Sequence, residues 1–167
     1  ILLDMIPGTV LFSKNADEPM TPSSMSKIMT VYKLFERLKD GGLSLTDTFA
    51  VSEKAWRKQG SKMFVAVKSR VKVEDLIRGI IVQSGNDASC ALAEHTAGSE
   101  EGFVDLMMVY VRDLGLDNTN FINVWGGPDE DHYSTARDLA LLSQRLIEKF
   151  PDHYAIYKEK YFTYNNI

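Results

Sequence analysis

Two short stretches of this chain carry the residue types that nucleophilic chemistry needs. Ser24-Met25-Ser26-Lys27 sets a hydroxyl three residues ahead of an amine, and on a helix residues three apart share a face. A serine hydroxyl is a weak nucleophile until a neighbouring base takes its proton. A lysine becomes such a base when desolvation lowers its pKa. The same helical line continues through the apolar Val31, Leu34 and Leu38, which sets Lys27 beside a buried seam. Ser24 is expected in the helix's first turn, where unpaired backbone N–H groups and the positive helix end favour a developing oxyanion. The pair reads as a Ser-Lys acyl-transfer unit. Taken alone, it also reads as a helix cap with a snorkelling lysine.

Frequency separates these readings only in part. With 13 Ser and 12 Lys in 167 residues, about one S-x-x-K is expected by chance. The chain has two. Ser69-Arg70-Val71-Lys72 lies in a charged stretch with neither an apolar seam nor a helix start, whereas Ser24 follows the Pro22 entry to a buried helix. Ser84-Gly85-Asn86 is rarer, with about 0.04 expected per chain of this composition. It falls between two helical patterns, so a turn displays its side chains. A hydroxyl and an amide there can relay a proton and hold a substrate amide. Alone, it equally fits a turn in which Asn86 caps the next helix.

The elements that must position these groups follow from periodicity. Ile1-Leu2-Leu3 and Val10-Leu11-Phe12 flank Pro7-Gly8 and predict a β-hairpin. A helix runs from Pro22-Ser23 to about Asp40, closed by Gly41-Gly42 and apolar nearly all round, as a central helix is. Met63 to Val67 is a β-like run. Val73, Leu76, Ile77, Ile80 and Ile81 make an amphipathic helix, and after Ser84-Gly85-Asn86 the chain resumes as helix from Asp87 to Ala97. Ser99 caps a helix that Gly115 ends, and Ser134 or Thr135 caps one that Pro151 stops. Asn118 to Tyr133 is loop-like, and Tyr161-Phe162-Thr163-Tyr164 reads as a closing strand that returns to the N-terminal hairpin. A hairpin, a block of helices and a final strand predict an α+β fold in a single unit, residues 1–167.

Composition excludes several classes. Apolar residues are 44% and charged residues 25% of the chain, ordinary for a globular protein. A net charge of -4 with scattered Lys and Arg gives no nucleic-acid surface. The longest apolar run falls short of the roughly 18 residues of a membrane span, and no signal peptide is visible. The single cysteine, Cys90, is expected to be a buried space-filler. His132 and His153 show no recurring ligand spacing, so no metal site is predicted. The two Trp and seven Tyr read as core or rim residues. The chain opens on Ile1 inside one strand-like run and stops at Ile167 in another, so it is expected to be part of a longer polypeptide.

S-x-x-K followed by S-x-N is the opening of the motif set shared by penicillin-binding proteins and class A β-lactamases. Pro22 to Thr30 and Ser84-Gly85-Asn86-Asp87-Ala88 resemble D-alanyl-D-alanine carboxypeptidases of the low-molecular-mass, type-5 penicillin-binding kind. So do Ala91 to His95, Gly98 to Val104, and Tyr133-Ser134-Thr135-Ala136-Arg137-Asp138, all in the family's order. The resemblance implies a β-lactamase/transpeptidase-like fold, an antiparallel sheet flanked by helices with a helical cluster carrying the S-G-N loop. It implies that Ser24 forms an acyl-enzyme with the penultimate D-alanine of a peptidoglycan stem peptide and that Lys27 takes its proton. Ser84 would pass a proton to the leaving D-alanine, and Asn86 would bind the substrate amide. β-Lactam antibiotics would acylate Ser24, with no metal or organic cofactor. The expected location is the periplasm or the extracytoplasmic face of the bacterial inner membrane, with any membrane association through a C-terminal segment outside this chain.

The family's third motif, Lys-Thr-Gly, does not occur in the sequence; His95-Thr96-Ala97-Gly98 is helical and no substitute. In the family that strand grips the substrate carboxylate and completes the oxyanion hole, so the sheet is expected to be incomplete here. Loss of one oxyanion donor alone costs about 100- to 1,000-fold in rate. Two alternatives stand beside the carboxypeptidase. A class A-like β-lactamase is disfavoured by Gly85 within the middle motif and by the lack of an E-x-x-L-N run. A non-catalytic module of the same fold that binds cell-wall peptide is the other.

Overall fold

The structure, a computed structural model, describes residues 1–6 and 8–166. Pro7, half of the expected Pro-Gly turn, and Ile167 lie outside the described residues. β1 (Leu2–Leu3) and β2 (Val10–Phe12) pair antiparallel as expected, Leu2 with Phe12 and Leu3 with Val10, across a bulge. β3 (Thr48–Ala50) and β4 (Arg70–Lys72) form a second two-stranded antiparallel ladder. Around these lie α1 (Lys27–Lys39), α2 (Glu53–Trp56), α3 (Val73–Ile81), α4 (Asn86–Ala97), α5 (Glu100–Asp113), α6 (Ala136–Lys149) and α7 (Pro151–Tyr154). The class is α+β.

α1 is the hub. Met29, Val31, Tyr32, Leu34 and Phe35 are buried on it, and it packs against α3, α4, α5 and α6. Burying side chains of this size contributes about 1.5–3 kcal/mol each, which is why a helix apolar on most faces must lie centrally. The predicted α3 stripe is buried from Val73 through Leu76, Ile77 and Ile80. α4 buries Ala88 to Ala93, including Cys90, and Gly98 ends it at φ +83, a conformation glycine adopts without a Cβ clash. Ser99 caps α5 by accepting from the Gly102 N–H at 2.9 Å. Of the two candidates for α6, Thr135 is the cap, accepting from Asp138 N at 3.1 Å.

Two strand expectations are corrected. Met63 to Val67 forms no strand. The buried Asp87 carboxylate takes the backbone N–H groups of Met63 at 3.0 Å and Val65 at 3.2 Å, which a neighbouring strand would otherwise engage. Tyr161 to Tyr164 likewise forms no strand and does not return to the N-terminal hairpin. Glu159 is held by Arg78 of α3 at 2.9 Å, and Phe162 and Tyr164 line a cavity with Met63 and Phe64. The segment is drawn to α3 and the 62–64 stretch by charge and apolar contact.

Candidate active site

Ser24 is exposed on a 3-10 turn, Ser23–Ser26, that precedes α1. It therefore stands just outside the α-helix rather than in its first turn. The turn is set by Ser23, whose φ of +50 is unfavourable for a residue with a Cβ. Ser26 answers that strain by donating its hydroxyl proton to the Ser23 carbonyl at 2.9 Å.

Lys27 opens α1 with its side chain turned inward, leaving 4% exposed. Its Nζ lies 3.2 Å from Ser24 Oγ and donates to the Trp125 carbonyl at 2.7 Å. Burial penalises the charged form and lowers its pKa to about 8. The amine can thus shed its proton near neutral pH and then accept the one on Ser24.

Ser84 is half-buried on the turn between α3 and α4, held at φ +56. Gly85 N donates to the Gly79 carbonyl at 2.9 Å and Asn86 N to the Ser61 carbonyl at 2.7 Å, which fixes the turn on both sides. Ser24, Lys27 and Ser84 line one cavity of about 100 Å³, walled by Ile28, Val31 and Ile80. Asn86 is not on that wall. It is the first residue of α4 rather than its cap, and its Nδ2 donates to the Gln59 carbonyl at 2.6 Å. Three of the four expected site residues are brought together, and the fourth is anchored to the neighbouring loop.

The sequence marks Asn118 to Tyr133 as loop-like but does not show its place beside the site. The loop is laced to the chain before Ser24 through the Met20–Ser134 bridge and closed on itself through the Asn120–Tyr133 bridge. Asn123 Oδ1 accepts from Trp125 N at 3.3 Å, Gly126 N at 2.7 Å and Gly127 N at 2.8 Å, curling the backbone into a tight turn. That turn points two successive carbonyls at α1: Thr30 donates to Val124 O at 2.7 Å and Lys27 to Trp125 O. Gly126, at φ +85, packs so close that a Cβ there would lie 1.8 Å from the Ser23 carbonyl oxygen. The Gly126-Gly127-Pro128 run was the available signal. The second S-x-x-K is elsewhere, with Ser69 bonded to Ala66 O at 2.6 Å and Lys72 exposed at the end of β4.

Among the described residues, no group of three or more His, Cys, Asp or Glu side chains is placed to hold a metal ion, and no helix is long and apolar enough to cross a membrane. Chemically, an exposed hydroxyl, a buried amine of lowered pKa and a second hydroxyl on one cavity make a serine–lysine arrangement suited to acyl transfer.

The fold is that of the penicillin-binding proteins. Penicillin binding protein 5 from Haemophilus influenzae superposes with a TM-score of 0.96 at 43% identity, over 99% of this chain and 49% of that one. Penicillin-Binding Protein D2 from Listeria monocytogenes, in the ampicillin-bound form, superposes with a TM-score of 0.81 at 26% identity, over 92% of this chain and 62% of that one. D-alanyl-D-alanine carboxypeptidase DacC of Escherichia coli K12 is 46% identical over 173 aligned residues, 100% of this chain and 43% of the relative. Residues 1–167 match the peptidase S11 family throughout, and the chain belongs to this family of D-alanyl-D-alanine carboxypeptidases. It spans about half or less of the length of the curated relatives it matches.

Proposed function

We propose that the protein is a serine-type D-alanyl-D-alanine carboxypeptidase acting on peptidoglycan stem peptides outside the bacterial cytoplasmic membrane, where that polymer lies. The observation that carries the proposal is Lys27 Nζ at 3.2 Å from Ser24 Oγ with its pKa lowered to about 8. Deprotonated Lys27 takes the Ser24 proton as Oγ bonds to the carbonyl carbon of the penultimate D-alanine. The peptide C–N bond breaks, and the departing amine of the terminal D-alanine receives a proton through Ser84, which Lys27 replenishes. Water then attacks the ester, giving up a proton to Lys27, and Ser24 leaves protonated. Asn86 would hold the substrate amide through its Oδ1, since Nδ2 is engaged by Gln59.

β-Lactams would acylate Ser24 by the same attack, the ring C–N bond breaking in place of the peptide bond. The ampicillin-bound Listeria relative supports this part of the reading. The test is intact mass of the whole protein before and after benzylpenicillin. A stoichiometric penicilloyl adduct that vanishes in Ser24→Ala, with release of D-alanine from a D-Ala-D-Ala peptide, is expected. A folded protein that forms no adduct and releases no D-alanine would instead be a cell-wall-peptide-binding module.

A further inference from the structure

The loop that supplies the Trp125 carbonyl also buries an imidazole against the nucleophile turn. His132 is fully buried, and both ring nitrogens are engaged. Nδ1 accepts the Ile122 backbone N–H at 3.1 Å, and Nε2 lies 2.7 Å from Ser26 Oγ. A hydroxyl has one proton to give. Ser26 gives its proton to the Ser23 carbonyl, so Nε2 of His132 is the donor to Ser26 and the ring is neutral with Nδ1 unprotonated. A second proton could enter only at Nδ1, where it would meet the Ile122 N–H head-on. Two donors facing each other repel and force the contact apart.

What this line of bonds holds is strained. Ser23 sits at φ +50, a conformation that costs about 1–3 kcal/mol and persists only where surroundings impose it. Its carbonyl is gripped by Ser26 and packed beneath Gly126, and the next peptide nitrogen belongs to Ser24. The chain from Ile122 through His132 and Ser26 thus ends one peptide from the reacting oxygen.

The groups facing His132 do not supply a competing charge partner from another element. Asp129, on its own loop, favours the charged ring, but burial opposes this more strongly and leaves the pKa below the ordinary histidine value. Asp131 is exposed, and Asp138 of α6 is taken by Asn118 N and Thr119. Phe121 presents its ring at 5.5 Å, and Lys27 sends its amine to Ser24 and Trp125.

We propose that His132 is a positioning residue for Ser24, whose neutral form holds the Ser23–Ser24 turn in the geometry of acyl transfer and whose second protonation releases it. The inference rests on Ser24 being the nucleophile. The test is the second-order rate of benzylpenicillin acylation of the whole protein across about pH 4.5 to 9, for the parent, His132→Gln, His132→Ala and Ser24→Ala. Glutamine offers an N–H donor group and an oxygen acceptor but no ionisable proton.

For the parent, the rate should fall about tenfold per pH unit as Lys27 gains its proton, then about a hundredfold per unit once His132 titrates as well. His132→Gln should keep the rate near pH 8.5 to within about threefold and lose the steeper acid limb, while His132→Ala should fall about 10- to 100-fold at every pH. Near-UV circular dichroism reports whether each variant is folded, and His132→Gln carries the test if His132→Ala is not. A parent profile that stays at one proton, a steep limb retained in His132→Gln, or full activity in folded His132→Ala would each overturn the proposal and leave the nucleophile standing. Acylation of Ser24→Ala would overturn the underlying reading instead.

Discussion

Lys27 donates to the backbone carbonyl of Trp125 at 2.7 Å, a residue 98 positions away on the loop that also crowds Ser23. The carbonyl is neutral, as is the Ser24 hydroxyl on the amine's other side. A carboxylate in that place would stabilise the ammonium and raise its pKa. A neutral acceptor fixes the position of the amine and leaves burial free to make it a base.

The sign of the resulting pH dependence is definite. Lys27 has its pKa lowered to about 8, so below that value it is protonated and cannot accept the Ser24 proton. Acylation should rise with pH and level off above about 8, measured as the penicillin acylation rate. Lys27→Arg, which cannot lose its proton, should lower that rate by about 1,000-fold or more. Lys72→Ala, in the second S-x-x-K, should leave it unchanged.

Ser84→Ala should separate catalysis from folding. Removing the hydroxyl proposed to relay the proton should lower acylation by about 100- to 1,000-fold with little effect on folding, because Ser84 is half-buried and its backbone, not its side chain, shapes the turn. Stopped-flow acylation together with a thermal melt checks both parts.

Gly126→Ala should damage catalysis from outside the cavity. The new Cβ would lie 1.8 Å from the Ser23 carbonyl oxygen at a backbone φ of +85, so loop and turn must separate. A displacement of about 1 Å at a reacting group costs about 100-fold. The comparison that checks it is kcat of Gly126→Ala against the parent, at a temperature where both are folded by circular dichroism.

Asp87→Ala should destabilise the molecule. Its buried carboxylate accepts the N–H groups of Met63 and Val65 and that of Ala88 at 2.9 Å. Leaving such donors unpaired costs about 1–3 kcal/mol each where they stay buried. A loss of about 3 kcal/mol in urea unfolding is expected, with the 62–66 segment opening first in hydrogen exchange.

The parts of this molecule that could be read from sequence are those set by local rules. α1, α3, α5 and α6 follow from apolar spacing and caps, and Ser24, Lys27 and Ser84 from motif and context. What was illegible depends on partners far along the chain. Met63 to Val67 has strand-forming side chains, yet Asp87, 24 residues on from Met63, takes its backbone donors. Tyr161 to Tyr164 has the composition of a strand and no paired edge beside it. The loop of Trp125 and His132 has no periodicity, and its meaning lies in contacts with Ser23, Ser26 and Lys27, each made across about a hundred residues of chain. Asn86 was found as a motif residue, but its grip on Gln59 is visible only in three dimensions.

Cys90 is the one thiol in the sequence, and it lies fully buried on α4, one helical turn beyond Asn86. Burial, with the Glu100 and Glu94 carboxylates adding to it, pushes its pKa well above the usual thiol range. A thiol so placed is silent towards alkylating reagents while the helix is seated and reacts only when the helix lifts. The chain therefore carries its own stopwatch: each modified molecule records one excursion of the helix that presents Asn86. Any ligand that tightens that helix should slow the clock without touching the sulfur.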